Sequence, residues 1–186
     1  MRLIFMGPPG VGKGTQADRI KVHFGILHLS TGDILRDETS QETKLGLEAK
    51  KFMDRGELVP DHLLLEMMEH RLQQDDCKDG YLLDGFPRTI PQADGLDLIL
   101  NKIGAELDAV VSLTADQEEL VNRLVLRGKQ SGRSDDTPDV IRQRQKVYWN
   151  QTAPLLDYYK GKGLLLEVDG MGEIDEITKR IIKALE

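Results

Sequence analysis

"LIFMGPPGVGKGTQ", residues 3–16, decides the reading of this chain. Leu3-Ile4-Phe5-Met6 is a short apolar run, a glycine-rich turn follows it directly, and helical spacing begins after Lys13. A strand, a turn and a helix N-terminus in that order aim backbone N–H groups and a positive dipole end at one point, where a phosphate can sit. Gly10 and Gly12 permit close backbone approach to that phosphate, and Lys13 can reach the β- and γ-phosphates of a nucleotide. Gly14 raises a difficulty. Loops of the form Gly-x-x-x-x-Gly-Lys place Ser or Thr after the lysine to hold magnesium. Either the nucleotide site is broken, or it holds its metal in another way.

Working outward, four more short apolar runs match the first: Ile26 to Leu29, Tyr81 to Leu83, Ala109 to Leu113 and Leu164 to Val168. Helical spacing lies between them, so the order is βαβα, which implies a parallel sheet covered by helices on both faces. Several helix ends are legible. Asp116 and Glu119 form a capping-box pattern, and the helix they open should end near Gly128. Thr137-Pro138 should start a long helix through Thr152, which Pro154 must kink or stop. Asp61 is expected to cap the helix that follows it, with Met67 and Met68 as core filling, and Thr31 or Asp33 to cap the helix after the second run. Two stretches break the alternation: residues 30–59 are polar and helical without a strand, and "GKQSGRSDD", residues 128–136, suggests a mobile loop.

The chain has 186 residues, which suits one domain with a proper core. A net charge of −7 argues against general binding to nucleic acid. No apolar stretch nears the ~20 residues that span a bilayer. The start is too short for a secretory h-region, so a cytoplasmic location is expected. Cys77 stands alone among acidic neighbours, which oppose a thiolate, and the four histidines show no tight metal-ligand spacing. Against this acidic background Arg123, Arg127, Arg133, Arg142 and Arg144 crowd into one region, as a small and highly anionic ligand would require.

The candidate residues fall into groups. Asp84 ends a buried run, where a phosphate-loop protein positions magnesium, although in isolation it serves equally as a turn residue before Gly85. Arg88, four residues on, would clamp a metal-triphosphate. Ser30, Thr31, Asp33 and Arg36 open the strandless stretch with polar contacts. Arg123 and Arg127 share one helix face, whereas Arg142 and Arg144 point differently, so only one of the latter two faces the same centre.

Together these groups resemble the adenylate kinase family. The matching strings are "GPPGVGKGTQ" (7–16), "LSTGDILR" (29–36), "GELVPD" (56–61), "LLDGFPRT" (82–89), "IPQAD" (90–94), "SGRSDD" (131–136) and "RQR" (142–144), in the family's order and across essentially the whole chain. The resemblance implies a P-loop NTPase-type α/β fold with a five-stranded parallel sheet. Its core would comprise residues 1–29, 60–126 and 137–186, with an AMP-binding insertion at 30–59 and a short lid at 127–136. It implies the reaction ATP + AMP ⇌ 2 ADP.

In that family Gly10, Val11, Gly12, Lys13, Gly14 and Thr15 would hold the ATP phosphates, with Arg123, Arg127 and the backbone near Gly172 also serving ATP. Thr31, Arg36, Glu57, Leu58, Val59, Gly85, Phe86, Pro87, Arg88 and Gln92 would bind AMP, and Arg133 and Arg144 would reach across the transferring phosphoryl to the AMP side. Lys13, Asp84, Arg88, Arg123, Arg127, Arg133 and Arg144 would form the catalytic set. The resemblance also answers the question at Gly14. Lys-Gly-Thr is the family's usual form, with Mg2+ held mainly by phosphate oxygens and by waters that Thr15, Asp33 and Asp84 orient. A short lid and one cysteine leave no structural zinc to expect, and nothing suggests more than a monomer.

Three other readings are weaker. Kinases acting on UMP or CMP often have a small apolar residue at the Thr31 position and Asn after the DGFPR segment, whereas Thr31 and Gln92 here point to adenine. A switch-type GTPase would need Ser or Thr at 14 and a guanine-reading Asn-Lys-x-Asp, but Asn101-Lys102 continues with Ile-Gly. A structural partner domain that merely stores ATP has no need of two anion sites.

Overall fold

The protein is described by a computed structural model over residues 1–131 and 137–186. Its strands are β1 (Arg2–Met6), β2 (Leu27–Ser30), β3 (Tyr81–Asp84), β4 (Ala109–Thr114) and β5 (Leu165–Asp169). All pair in parallel in the order β2-β3-β1-β4-β5. The helices are α1 (Lys13–Phe24), α2 (Thr31–Ser40), α3 (Lys44–Met53), α4 (Asp61–Leu72), α5 (Ile90–Lys102), α6 (Gln117–Ser131), α7 (Pro138–Val147), α8 (Pro154–Gly161) and α9 (Ile174–Leu185), with a π-helical segment (Tyr148–Thr152) between α7 and α8.

Register explains why the strands read as unbroken apolar runs. Leu3 pairs with Leu82 and Ala109, and this row faces a core built with Ala17, Ile20, Leu120 and Ile181 of α1, α6 and α9. Ile4 pairs with Leu83 and Val110, and that row faces the opposite core with Met68, Leu96 and Tyr159 of α4, α5 and α8. Both faces are covered, so the central strands do not alternate apolar with polar residues, and Ser112 in β4 and His28 in the edge strand β2 are isolated exceptions. Each fully buried Leu or Ile in these rows contributes about 1.5–3 kcal/mol from the area it removes from water.

The expected strands all form, with ends displaced by about one residue, the usual uncertainty of element ends. Three helix-end expectations are corrected. Helix α6 continues through Gly128 to Ser131. One glycine inside a helix costs about 1 kcal/mol, and the burial of Leu120 and Leu124 on the same helix offsets that. The cap of α2 is Ser30, whose hydroxyl accepts from Asp33 N at 3.3 Å, not Thr31 or Asp33. Pro60 occupies the N-cap position of α4, and the Asp61 carboxylate instead accepts from Thr89 Oγ1 and Gln92 Nε2. Near Pro154 the long helix is interrupted, as its missing N–H requires. The chain widens into a π turn, closed by Ala153 N donating to Tyr148 O at 2.9 Å, and Pro154 opens α8 where its missing N–H does no harm.

Helices α2 and α3 stand against each other over the carboxyl edge of β2. Their closest approach is at Gly46, where a methyl group would lie 2.2 Å from Glu38 O. Alanine is the better helix former by about 1 kcal/mol, whereas forcing a carbon into packed backbone costs about 1–3 kcal/mol. The second effect wins here, because backbone on both sides cannot rotate away. Gly46→Ala should therefore lower the urea midpoint, and a gain in stability would show that α2 and α3 are not held this tightly.

Candidate active site

A cavity of about 760 Å³ lies outside the carboxyl ends of β1, β2 and β3, the region where open parallel sheets bind ligands. One wall is the loop from β1 to α1. Gly12, the N-cap of α1, has φ +96°, and no atom lies within 4 Å of where its Cβ would be, so a ligand can come up against the bare backbone. Lys13 Nζ donates to Gly7 O at 2.7 Å and Pro8 O at 3.2 Å, which folds its ammonium over the loop. Gly10, Val11, Gly14 and Thr15 line the same wall, and Gly172 and Arg123 line it further round. Arg123 Nε donates to Glu119 Oε1 at 2.9 Å.

Asp84 closes the floor. It pairs in register with Phe5 and Ser30, which sets its carboxylate between the phosphate loop and the start of α2. His28 Nε2 lies 3.5 Å from Asp84 Oδ2, and its Nδ1 lies 3.5 Å from Asp18 Oδ1. Burial by itself would raise the Asp84 pKa, but His28, Lys13 and Arg88 outweigh it and hold the carboxyl below the ordinary 3.8. Burial likewise opposes protonation of His28, and the carboxylates of Asp84 and Asp18 outweigh it, raising the imidazole above 6.5. In the sequence His28 shows only that it lacks metal-ligand spacing; its partners Asp18 and Asp84 lie outside its own strand, and no local signal announces them.

The opposite wall carries cations. Gly85, at φ +85°, is where a Cβ would meet Arg88 Nη2 and Thr31 Oγ1 at 2.8 Å each, so only glycine lets those two groups converge. Arg88 Nε donates to Gly85 O at 2.7 Å, and Thr31 Oγ1 donates to Asp84 O at 3.3 Å. Arg36 pairs with Asp33. Arg144 lines the cavity from α7, while Arg142 is largely exposed and pairs with Asp139, so one of these two arginines faces the centre. Glu57, Leu58, Val59 and Pro87 also line the cavity. The stretch after α3 reaches α7 here: a methyl on Gly56 would lie 3.0 Å from Val140 O and 3.1 Å from Arg144 Cγ.

Two expected contact residues do not line the cavity. Phe86 is buried in the core and anchors the loop between Gly85 and Pro87. Gln92 is fully buried behind that loop, where its Oε1 accepts from Arg88 N at 2.7 Å and its Nε2 donates to Asp61 Oδ1 at 2.7 Å. Arg133 and the side chain of Arg127 lie outside the described residues.

Residues 5–164 match the sequence pattern of the adenylate kinase family. Relatives named adenylate kinase include one from Nocardioides sp., 54% identical over 186 residues, spanning 100% of this chain and 97% of its own length. Another, from Stenotrophomonas maltophilia, is 53% identical and covers 100% of both chains. A third, from Leptospira biflexa, is 50% identical over 184 residues and covers 99% of both. This chain belongs to the adenylate kinase family. It is therefore a phosphotransferase, and the parallel sheet and phosphate loop are that family's fold.

Within an adenylate kinase a divalent ion would enter with the nucleotide. Thr15, Asp33 and Asp84 line the cavity with oxygen donors, and Asp84 stays ionised, which suits magnesium. Among the described residues no group of three or more His, Cys, Asp and Glu is placed to hold a metal ion directly. The donor set therefore fits an ion held in part by phosphate and water rather than a protein cage.

His28 makes a pH effect checkable. Its folded pKa is raised, so the folded state binds the proton more tightly than the unfolded chain does. That stabilisation is complete below the ordinary 6.5 and is lost as pH rises through the folded value. The stability margin of the wild type over His28→Gln, from urea unfolding, should be largest below pH 6.5 and shrink as pH rises above it. A margin independent of pH would mean that His28 stays neutral between its carboxylates.

Proposed function

We propose that this protein catalyses the reversible, magnesium-dependent transfer of the terminal phosphoryl group of ATP to AMP, giving two ADP. The observation that carries the reading is that one cavity has a phosphate loop on one wall and Arg36, Arg88 and Arg144 on the other. Storage of a single nucleotide uses only one such wall. Gly10 to Thr15 bind the donor phosphates, and Arg123, Arg127 and the backbone at Gly172 hold the rest of ATP. Thr31, Arg36, the stretch 57–59, the stretch 85–88 and Gln92 form the AMP side, where Gln92 acts from behind through Arg88 N. Residues 30–59 serve as the AMP-binding insertion and 127–136 as the short lid, on a core of 1–29, 60–126 and 137–186.

In the reaction an oxygen of the AMP phosphate attacks the γ-phosphorus, and the bond from that phosphorus to its bridging oxygen breaks toward ADP. The attacking phosphate is already ionised at neutral pH because its second pKa is ~6, so no general base is required. His28 fits this, since both its ring nitrogens face carboxylates. Magnesium, when bound with ATP, neutralises charge on the phosphates, and Thr15, Asp33 and Asp84 orient its waters. Lys13, Arg88, Arg133 and Arg144 stabilise the equatorial oxygens during transfer. Closure of the insertion and lid excludes water, which would otherwise hydrolyse ATP. We further propose that the protein works as a cytoplasmic monomer; among the described residues no helix is long and apolar enough to cross a membrane.

Lys13→Ala, Arg88→Ala and Arg133→Ala should each lower kcat by about 10³-fold or more, the scale of a transition-state arginine, with melting temperatures near the wild type's. Near-normal turnover in all three would overturn the assignment. In a coupled assay AMP should be preferred over CMP, UMP and GMP, and a preference for a pyrimidine monophosphate would reassign the acceptor.

A further inference from the structure

Two hydrogen bonds from one stretch of chain reach opposite walls of the cavity. Gln145, on α7, donates from Nε2 to Pro9 O in the phosphate loop at 3.0 Å. Thr152, the last residue of the π segment, donates from Oγ1 to Arg88 O at 2.9 Å. Arg144, which lines the cavity, is the residue before Gln145. Thr152 is 7% exposed and lines the cavity too, so its hydroxyl works where water competes little.

The acceptor-side anchor is held from several directions. The N–H of Arg88 is fixed by Gln92 Oε1 at 2.7 Å, its C=O by Thr152, and its Nε by Gly85 O at 2.7 Å. Gln92 cannot turn over, because its NH₂ end meets the acceptor-only carboxylate of Asp61 while its oxygen end meets an N–H that can only donate. The π turn brings Thr152 to this point. Its extra residue, closed by the bond from Ala153 N to Tyr148 O, shifts the helical phase beyond that of a regular continuation of α7. Hydrogen-bonded helix spans the distance from Gln145 to Thr152, and its length is set by backbone geometry rather than by flexible side chains.

We propose that Gln145 and Thr152 are positioning residues that make α7 and the π segment a strut, fixing the separation between the phosphate loop and Arg88. This rests on the reading that donor and acceptor phosphates occupy those two walls. Phosphoryl transfer depends on in-line placement of the two phosphates, and a misplacement near 1 Å can cost about 10²-fold in rate.

The test uses Thr152→Val, which removes the donor at nearly constant shape, with Thr152→Ser as the conservative control. Thr152→Val should lower kcat by about 10-fold to 10²-fold with little change in the KM of either nucleotide, and Thr152→Ser should restore it. Affinity for two adenosines joined through five phosphates should fall by a similar factor, because that compound needs both walls at one separation, while affinities for ATP alone and AMP alone hold. In an Arg88→Ala background Thr152→Val should add nothing further, since it acts through Arg88. Gln145→Met, at a less buried position, gives the same test from the phosphate-loop end if valine at 152 impairs folding. Wild-type kcat in both variants, additive losses with Arg88→Ala, or equal weakening of bridged and single nucleotides would overturn the strut. If Arg88→Ala itself turned over normally, the two-wall reading would fail first and the strut with it.

Discussion

The site depends on the register of β3 against β1. Phe5 faces Asp84 across the ladder, and this pairing puts the carboxylate beside the mouth of the phosphate loop. A slip of one residue would exchange the two faces of β3, turning Asp84 away from the cavity. Burial alone does not forbid the slip, because both faces of this sheet are apolar and covered. The strand starts supply the missing constraint. Tyr81 N donates to Met1 O at 3.0 Å, and a Cβ on Gly80 would lie 2.3 Å from that same oxygen, so no other residue type can stand at this point of closest approach. Register is fixed at the ends of the strand and not by its middle.

From that register the electrostatics follow. Asp84 is a buried carboxylate, and such a group ordinarily takes up a proton to escape its charge. Here the neighbours reverse the outcome, with His28 on one side and Lys13 and Arg88 on the other. Against the cost of burial, His28 is in turn kept protonatable by Asp84 first and by Asp18 second, and the latter draws α1 into the arrangement. The cationic groups are also oriented by carbonyls of their own loops, Lys13 by Gly7 and Pro8, Arg88 by Gly85. A charged side chain aimed in this way loses less rotamer freedom when a phosphate meets it, which leaves more of the interaction for catalysis.

Much of this was legible in the sequence, and the remainder has a common physical cause. The five strands could be seen because a doubly covered sheet writes its core as continuous apolar runs. The phosphate loop could be seen because close approach to phosphate demands glycines at fixed spacing. The residues that were missed or misplaced are polar side chains whose partners lie far along the chain. Asp61 reads as a helix cap and instead accepts from Gln92; Gln145 and Thr152 read only as parts of a long helix and donate to loops on opposite walls. Local pattern reports what a residue does to its own turn, and it carries no sign of a hydrogen bond across the fold. Helix α6 was misjudged for a related reason, because the glycine that signals an end is outweighed by burial elsewhere on the helix.

Gly14 belongs to the same geometry. A Cβ on residue 14 would lie 4.0 Å from Asp84 Oδ2. A serine or threonine there would therefore direct its hydroxyl into the space commanded by an ionised carboxylate. The hydroxyl would donate to Asp84 and use up an acceptor otherwise available to a magnesium-bound water. With glycine at 14 that acceptor stays open to the cavity, which Thr15 and Asp84 both line. Gly14 and the buried aspartate are thus neighbours across the mouth of the loop, and they stay so only while β1 and β3 keep their register.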